Sequence, residues 1–172
     1  MGQTKRGLVP EFVDRALVRA AASRPGAWLF INVFTHVDRL LLRVSGGRLS
    51  TAAGSRFHPH VVLLTTTGAR TGKSRTVPLI ALLDRGRVIL IGSRGGHAKH
   101  PAWYHNLRAN ARAMVMVQGH TAHYHAREAE GTERAALWQQ AVEFYPGYAD
   151  YQDRISRRVP VMVLEPIGSP GT

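Results

Sequence analysis

Residues 64–78 read Leu-Thr-Thr-Thr-Gly-Ala-Arg-Thr-Gly-Lys-Ser-Arg-Thr-Val-Pro. This is nearly the phosphate loop of nucleotide triphosphatases, in which a helix must start at the Gly-Lys-Ser. Two departures exclude that fold. Gly68 stands one residue too close to Gly72-Lys73-Ser74, and Thr67 occupies the required position. The chain then runs on as Arg75-Thr-Val-Pro-Leu-Ile-Ala-Leu-Leu, with Pro78 where a helix interior would be. The stretch therefore predicts two strands joined by a Gly-punctuated turn that carries Arg70, Lys73 and Arg75. Such a turn can aim cations and backbone N–H groups at one anion. A basic hairpin turn open to water is the equal competing reading.

The same alternation continues downstream. Val61–Thr66, Thr76–Leu83, Arg87–Gly92, Ala113–Val117, Thr121–Arg127 and Val159–Glu165 are β-rich runs. Asp84-Arg85-Gly86 and Gln118-Gly119-His120 read as turns. Helices are predicted over Pro101–Ala109, from an N-cap at Thr132 to about Phe144, and from Pro146 to about Arg158. Before them, residues 10–23 and about 28–44 have helical periodicity. The expected architecture is α+β: about six antiparallel strands in a small barrel with flanking helices. Residues 1–55 form a helical N-terminal extension and residues 56–172 the barrel domain.

Charge narrows the partners. The chain of 172 residues has a net charge of +12. Residues 61–112 alone carry nine Lys/Arg against one Asp/Glu, whereas residues 113–172 carry five against seven. The excess centres on the opening turn, which suits a polyanionic ligand or an acidic surface. With no cysteine, thiol chemistry and Cys-based zinc sites are excluded. No secretion signal is legible, and residues 27–44 are apolar but interrupted by Asn32, His36, Asp38, Arg39 and Arg43. A cytoplasmic location is expected, either free or on the cytoplasmic face of the membrane.

Other motifs are read against their plain alternatives. Ile91-Gly-Ser-Arg-Gly lacks the first glycine of a nucleophile elbow, so a serine hydrolase is not expected. It suits a loop whose backbone approaches a flat ligand. Nine histidines occur without the carboxylate pattern of a metal site, and no metal is expected. Trp103 and Asn106 share a helical face beside that loop, as a planar heterocycle or a simple capping contact would require. Tyr145, Tyr148 and Tyr151 recur every three residues among Pro146, Gly147, Asp150 and Asp153. Three hydroxyls together read as a wet pocket wall more than as core.

Taken together, these segments resemble the deazaflavin (F420)-dependent nitroreductase and quinone reductase family of mycobacteria and related actinomycetes. The matching stretches are Thr65–Pro78, Gly92–Leu107, Tyr145–Gln152 and Arg157–Pro166, in order and spacing. The resemblance implies a split β-barrel and coenzyme F420, an 8-hydroxy-5-deazaflavin with a phosphate and an oligoglutamate tail. It implies that Ala69, Arg70, Thr71, Arg75, Thr76, Val77 and Pro78 grip phosphate and tail. Arg70 stands where Lys is common and Ala69 where Arg is frequent, so one tail contact is lost, with Lys73 the available substitute. Ile91, Gly92, Ser93 and Arg94, with Ala102, Trp103, Tyr104, His105 and Asn106, would line the ring. Ser93, Tyr145, Tyr148 and Tyr151 would face the substrate, Tyr148 nearest to cofactor and acceptor.

The implied reaction is hydride transfer from the reduced cofactor to a menaquinone-like quinone or a nitroaromatic. Tyr148, with Ser93 or Tyr151, would hydrogen-bond the acceptor oxygen. The basic, apolar N-terminal helices would suit contact with an anionic membrane. A monomer or homodimer is expected. Three rivals stand beside this reading: an FMN-dependent oxidoreductase on the same barrel, a basic nucleic-acid-binding protein and a non-catalytic deazaflavin carrier. The positive field centres on one loop and no nucleic-acid motif is present, so no nucleic-acid partner is expected.

Overall fold

The structure is a computed structural model and describes residues 60–168. The N-terminal extension expected over residues 1–55 lies outside the described residues. Six strands, β1 (Val61–Thr67), β2 (Ser74–Asp84), β3 (Arg87–Ile91), β4 (Arg112–Val117), β5 (His120–Glu128) and β6 (Val161–Pro166), close a barrel in the order β1-β2-β3-β6-β5-β4. Every neighbouring pair is antiparallel. Alternation along each strand sends Val62 and Leu64 inward with Val88, Leu90, Val115, Met162 and Leu164. Each such fully buried side chain stabilises the fold by about 1.5–3 kcal/mol. The barrel interior is thus packed with side chains, and any ligand must bind outside it.

The expected turns are two-residue hairpin connections. Arg85-Gly86 and Gln118-Gly119 both have positive φ (49° and 82°, 49° and 85°), the pattern of a type I′ turn. Asp84 and Arg87 form an ion pair across the first of them.

Three helices complete the described fold. Helix α1 (Ala102–Ala109) adds Trp103 and Leu107 to the barrel core. Helix α2 (Gly131–Phe144) covers the outer face of β3 and β6, with Leu137 against Ile89, Val161 and Val163. Glu133 on α2 takes both guanidinium nitrogens of Arg127 at 2.6 and 2.8 Å, and Arg127 also binds Glu165 at 2.9 Å. Helix α3 (Gly147–Asp153) places Tyr148 and Tyr151 against Ala141 of α2.

Two expectations are corrected. Helix α2 starts at Gly131, and its N-cap is Glu130, not Thr132. The last helix stops at Asp153, short of Arg158. Gln152 explains the early stop. Its side-chain amide donates to the Arg157 carbonyl at 2.9 Å, and its carbonyl accepts from the Val159 N–H at 2.8 Å. Backbone groups that would have continued the helix are satisfied by this side chain instead, and the chain turns towards β6.

Candidate active site

The turn between β1 and β2 is closed by its own backbone. The Gly68 N–H donates to Lys73 O at 2.9 Å, and the Gly72 N–H donates to Gly68 O at 2.8 Å. Thr71 N–H also returns to Gly68 O, and the Ala69 N–H is taken by Asn106 Oδ1 at 3.0 Å. Most amides are therefore spent on the turn itself, so an anion here is met chiefly by side chains. Arg70, Lys73 and Arg75 are exposed, and among the described residues none has an ion-pair partner. Three such cations, on the turn and at the start of β2, give this end of the barrel a positive field that attracts anions.

The residues Arg75–Pro78 do not act as one face. Thr76 points outward, its Oγ1 2.9 Å from Thr65 Oγ1, while Val77 packs against the interior cluster. Pro78 is buried opposite Leu63. Strand β2 pairs with β1 along Ser74–Ile80 but with β3 only along Ala81–Asp84. Its N-terminal half therefore has one edge unpaired among the described strands, the split in the barrel.

Helix α1 joins this turn to the barrel mouth. Asn106 is 8 % exposed, and its amide group donates to Thr66 Oγ1 at 3.0 Å while its carbonyl holds Ala69. Tyr104 turns the other way, donating to Glu128 Oε2 at 2.9 Å with Arg108 beside both. Trp103 is buried in the core, and Ala102 and His105 are exposed.

The third part is the turn after β3. Ile91 ends the strand opposite Val161 and packs beneath α2 and α3. Gly92 and Ser93 are buried, Arg94 is exposed, and a 3-10 turn spans Arg94–Gly96. Gly96 has φ +76°, and a Cβ there would stand 3.3 Å from Tyr151 Cα. Only glycine lets this turn lie directly on α3. Ser93 is thereby brought to the tyrosine helix.

The three tyrosines pack together at ring-centroid separations of 5.1 to 6.4 Å. Tyr145 and Tyr151 share a hydrogen bond, Oη to Oη 3.0 Å. Tyr148 is 8 % exposed and Ser93 is 6 % exposed. Neither hydroxyl has a hydrogen-bond partner among the described residues. Buried hydroxyls are ordinarily paired, so these two have hydrogen-bonding capacity left for a water or a ligand. Burial raises all three tyrosine pKa values above the ordinary range, Tyr148 by desolvation first and by Tyr151 second. These phenols stay protonated at any physiological pH and can only serve as neutral hydrogen-bond donors or acceptors.

Sequence reasoning missed Arg157 as a site residue. Its side chain reaches the backbone of the Ser93 turn, a contact across 60 residues and more for which the sequence carries no periodic signal. A groove of about 260 Å³ on the outer face of β1, β2, β4 and β5 is lined by Leu63, Thr65, Ser74, Thr76, Met114, Met116 and Thr121. It contains no titratable group and is separate from Ser93 and the tyrosines. Among the described residues no cluster of His, Asp or Glu could hold a metal ion.

A closed six-stranded barrel with a packed interior, a cationic turn at its split edge and the buried, unpaired hydroxyls of Ser93 and Tyr148 are the features of a split-barrel protein whose interior leaves no room for a ligand. Residues 34–166 match the model of the F420H(2)-dependent quinone reductase family, and the chain belongs to that family. Membership makes it an oxidoreductase that uses coenzyme F420, with quinone as the family's acceptor. It is 37% identical over 145 residues to an F420H(2)-dependent quinone reductase of Mycobacterium tuberculosis, covering 80% of this chain and 95% of that one. A solved F420-H2 dependent reductase (FDR-A) is 44% identical with a TM-score of 0.58, over 62% of this chain and 94% of that chain. A second solved structure, described as a domain-swapped dimer, is 38% identical with a TM-score of 0.60, over 76% and 97% of the two chains. The FMN-dependent and nucleic-acid-binding alternatives find no support in these matches.

Proposed function

We propose that the protein transfers a hydride from reduced coenzyme F420 to a quinone at the surface formed by the Ser93 turn and helix α3. The observation that carries this is the pair of buried, unpartnered hydroxyls, Ser93 Oγ and Tyr148 Oη. The residues present fit the cofactor: unpaired cations at one end for phosphate and tail, unsatisfied hydroxyls at the other for the reacting groups. When bound, the reduced deazaflavin supplies the hydride.

The chain's own residues do the rest. Arg70, Lys73 and Arg75 neutralise the anionic tail, and Asn106 keeps their turn in place through Ala69. Tyr148, protonated because it is buried, donates to the acceptor oxygen as negative charge develops there. The Tyr145–Tyr151 hydrogen bond engages one of those two phenol protons, whereas the Tyr148 hydroxyl has no partner among the described residues and is the donor assigned to the acceptor. Buried aromatic rings around it exclude water.

Nitroaromatics are alternative acceptors, because a nitro oxygen takes the same donated hydrogen bond as a quinone oxygen. The nine Lys/Arg among residues 1–60, with the apolar stretch 27–44, support contact with an anionic membrane where a lipid-soluble quinone resides. Among the described residues no helix is long and apolar enough to cross a membrane. The domain-swapped dimer among the relatives supports a homodimer. The domain reading proposed with it is a helical extension over residues 1–55 and a cofactor-binding barrel domain over residues 56–172.

The test is anaerobic mixing of reduced F420 and menaquinone with the protein, following return of the oxidised deazaflavin absorbance. Catalysed oxidation that Arg75→Ala slows is the expected result. An uncatalysed rate with protein that binds F420 would overturn the quinone assignment, and absence of F420 binding would overturn the cofactor site.

A further inference from the structure

One side chain holds the Ser93 turn against the segment that follows α3. The Arg157 guanidinium donates through Nη2 to Ser93 O at 2.9 Å and Gly92 O at 3.2 Å. Its Nε donates to His97 O at 3.1 Å. Its Nη1 lies 3.1 Å from His100 Nδ1, and because a guanidinium only donates, the imidazole accepts. Four contacts from one planar group therefore span nine residues of the turn, from Gly92 to His100.

The other end of Arg157 is equally anchored. Its carbonyl accepts from Gln152 Nε2 on α3, and Val159 N–H is held by the same Gln152. Gly92 N–H closes the loop by donating to Pro160 O at 2.9 Å. A continuous path runs from the tyrosine helix through Gln152 and Arg157 to the backbone of Ser93. Among the described residues no acidic partner explains Arg157. Burial first and the nearby Arg94 cation second disfavour its charge, with Tyr104 opposing them. A guanidinium held in such a place by three backbone carbonyls and one imidazole fixes those carbonyls relative to one another.

We propose that Arg157 is a positioning residue that locks the Gly92–His100 turn onto α3 and so sets the Ser93 hydroxyl relative to Tyr148. This rests on the reading of Ser93 and Tyr148 as the reacting surface. The fork geometry is the point: lysine keeps the charge but has one nitrogen, which cannot serve carbonyls at Gly92, Ser93 and His97 together.

The test uses the full chain as Arg157→Lys and Arg157→Gln. The first readout needs no cofactor. Limited trypsin cleavage after Arg94 and Lys99, within the turn, is expected to quicken by about tenfold or more in Arg157→Gln, with cleavage elsewhere unchanged apart from the site lost at residue 157 itself. The second readout is kinetic. A fall of about tenfold or more in kcat is expected in both variants, with F420 affinity within about threefold of the unaltered protein. Arg157→Lys guards against misfolding, because a folded lysine variant with a mobile turn separates position from charge. Unchanged tryptic cleavage of the turn, or an unchanged kcat in the lysine variant, would overturn the proposal. If the unaltered protein fails to oxidise reduced F420 yet the turn is released in the variants, it is the functional reading that falls and the clamp that stands.

Discussion

Asn106 on α1 accepts a hydrogen bond from the Ala69 N–H at 3.0 Å and returns one to Thr66 Oγ1 at 3.0 Å. One buried amide thus ties the helix that plugs the barrel to the turn that carries the cations. Replacing it by Ala removes both bonds, taking the partner of the Ala69 N–H and leaving buried Thr66 Oγ1 with only its long donation to Arg75 O at 3.5 Å. Asn106→Ala is expected to lower unfolding free energy by about 1–3 kcal/mol, read from urea denaturation. It should also weaken F420 binding, because the cationic turn loses its only side-chain anchor to α1 among the described residues. Full affinity in a destabilised variant would show that the turn needs no such support.

The cations of that turn lack competing carboxylates among the described residues, so their effect on ligand binding should be undiluted. Arg75→Ala is expected to weaken F420 binding by about 10- to 100-fold, from about 1.5–3 kcal/mol for a charged hydrogen bond. Fluorescence titration at two salt concentrations checks this. The affinity of the unaltered protein should fall with added salt, and less steeply so in the variant. An identical salt slope would place the anion elsewhere.

Tyr148 and Tyr151 sit on the same helix turn and yet predict opposite stability effects. Tyr148→Phe deletes a buried hydroxyl with no partner among the described residues, so the free protein should be unchanged or stabilised by up to about 2 kcal/mol. Tyr151→Phe breaks the bond to Tyr145 and should destabilise by about 0.5–1.5 kcal/mol. Turnover should fall more in Tyr148→Phe than in Tyr151→Phe. Calorimetry and steady-state kinetics on the two variants together distinguish a reacting hydroxyl from a packing one.

His100 predicts a pH effect with a definite sign. Burial first, then the Arg157 cation and the neighbouring His105 ring, hold its imidazole below the ordinary 6.5, and Glu128 opposes them. The unfolded chain therefore binds a proton that the folded chain refuses. The stability this neutral ring contributes is fully present above pH 6.5 and is lost as pH falls from there through the lowered value. Below it the charged ring can no longer accept from Arg157. Denaturation curves between about pH 7.5 and about pH 5 should show the decline, and His100→Gln should flatten it. A slope unchanged by the substitution would assign the decline to other groups.

Much of the fold was legible in the chain. Pro78 after a Gly-Lys-Ser turn excluded a phosphate-loop helix, and the β2 strand over Ser74–Asp84 runs straight through it. Alternation of apolar residues is a local property, and it located all six strands to within a few residues. The turns at Arg85-Gly86 and Gln118-Gly119 were legible for the same reason: a type I′ turn imposes its chemistry on two adjacent residues. The end of α3 was not, because Gln152 closes it by reaching across to Arg157 and Val159.

By itself, then, the sequence determined the barrel, its hairpins, the cationic turn and the family to which they belong. Each depends on residues that are neighbours in the chain or recur with a fixed period. The tertiary structure alone decided how the site is held. It showed the turn's amides consumed internally, Arg75 and Thr76 on opposite faces, Asn106 serving as a brace, and Ser93 and Tyr148 left without partners among the described residues. It also brought Arg157 to the carbonyls of Gly92 and Ser93. Those facts are set by closure of the barrel, which joins residues far apart in sequence, and no local pattern records which polar groups that closure satisfies.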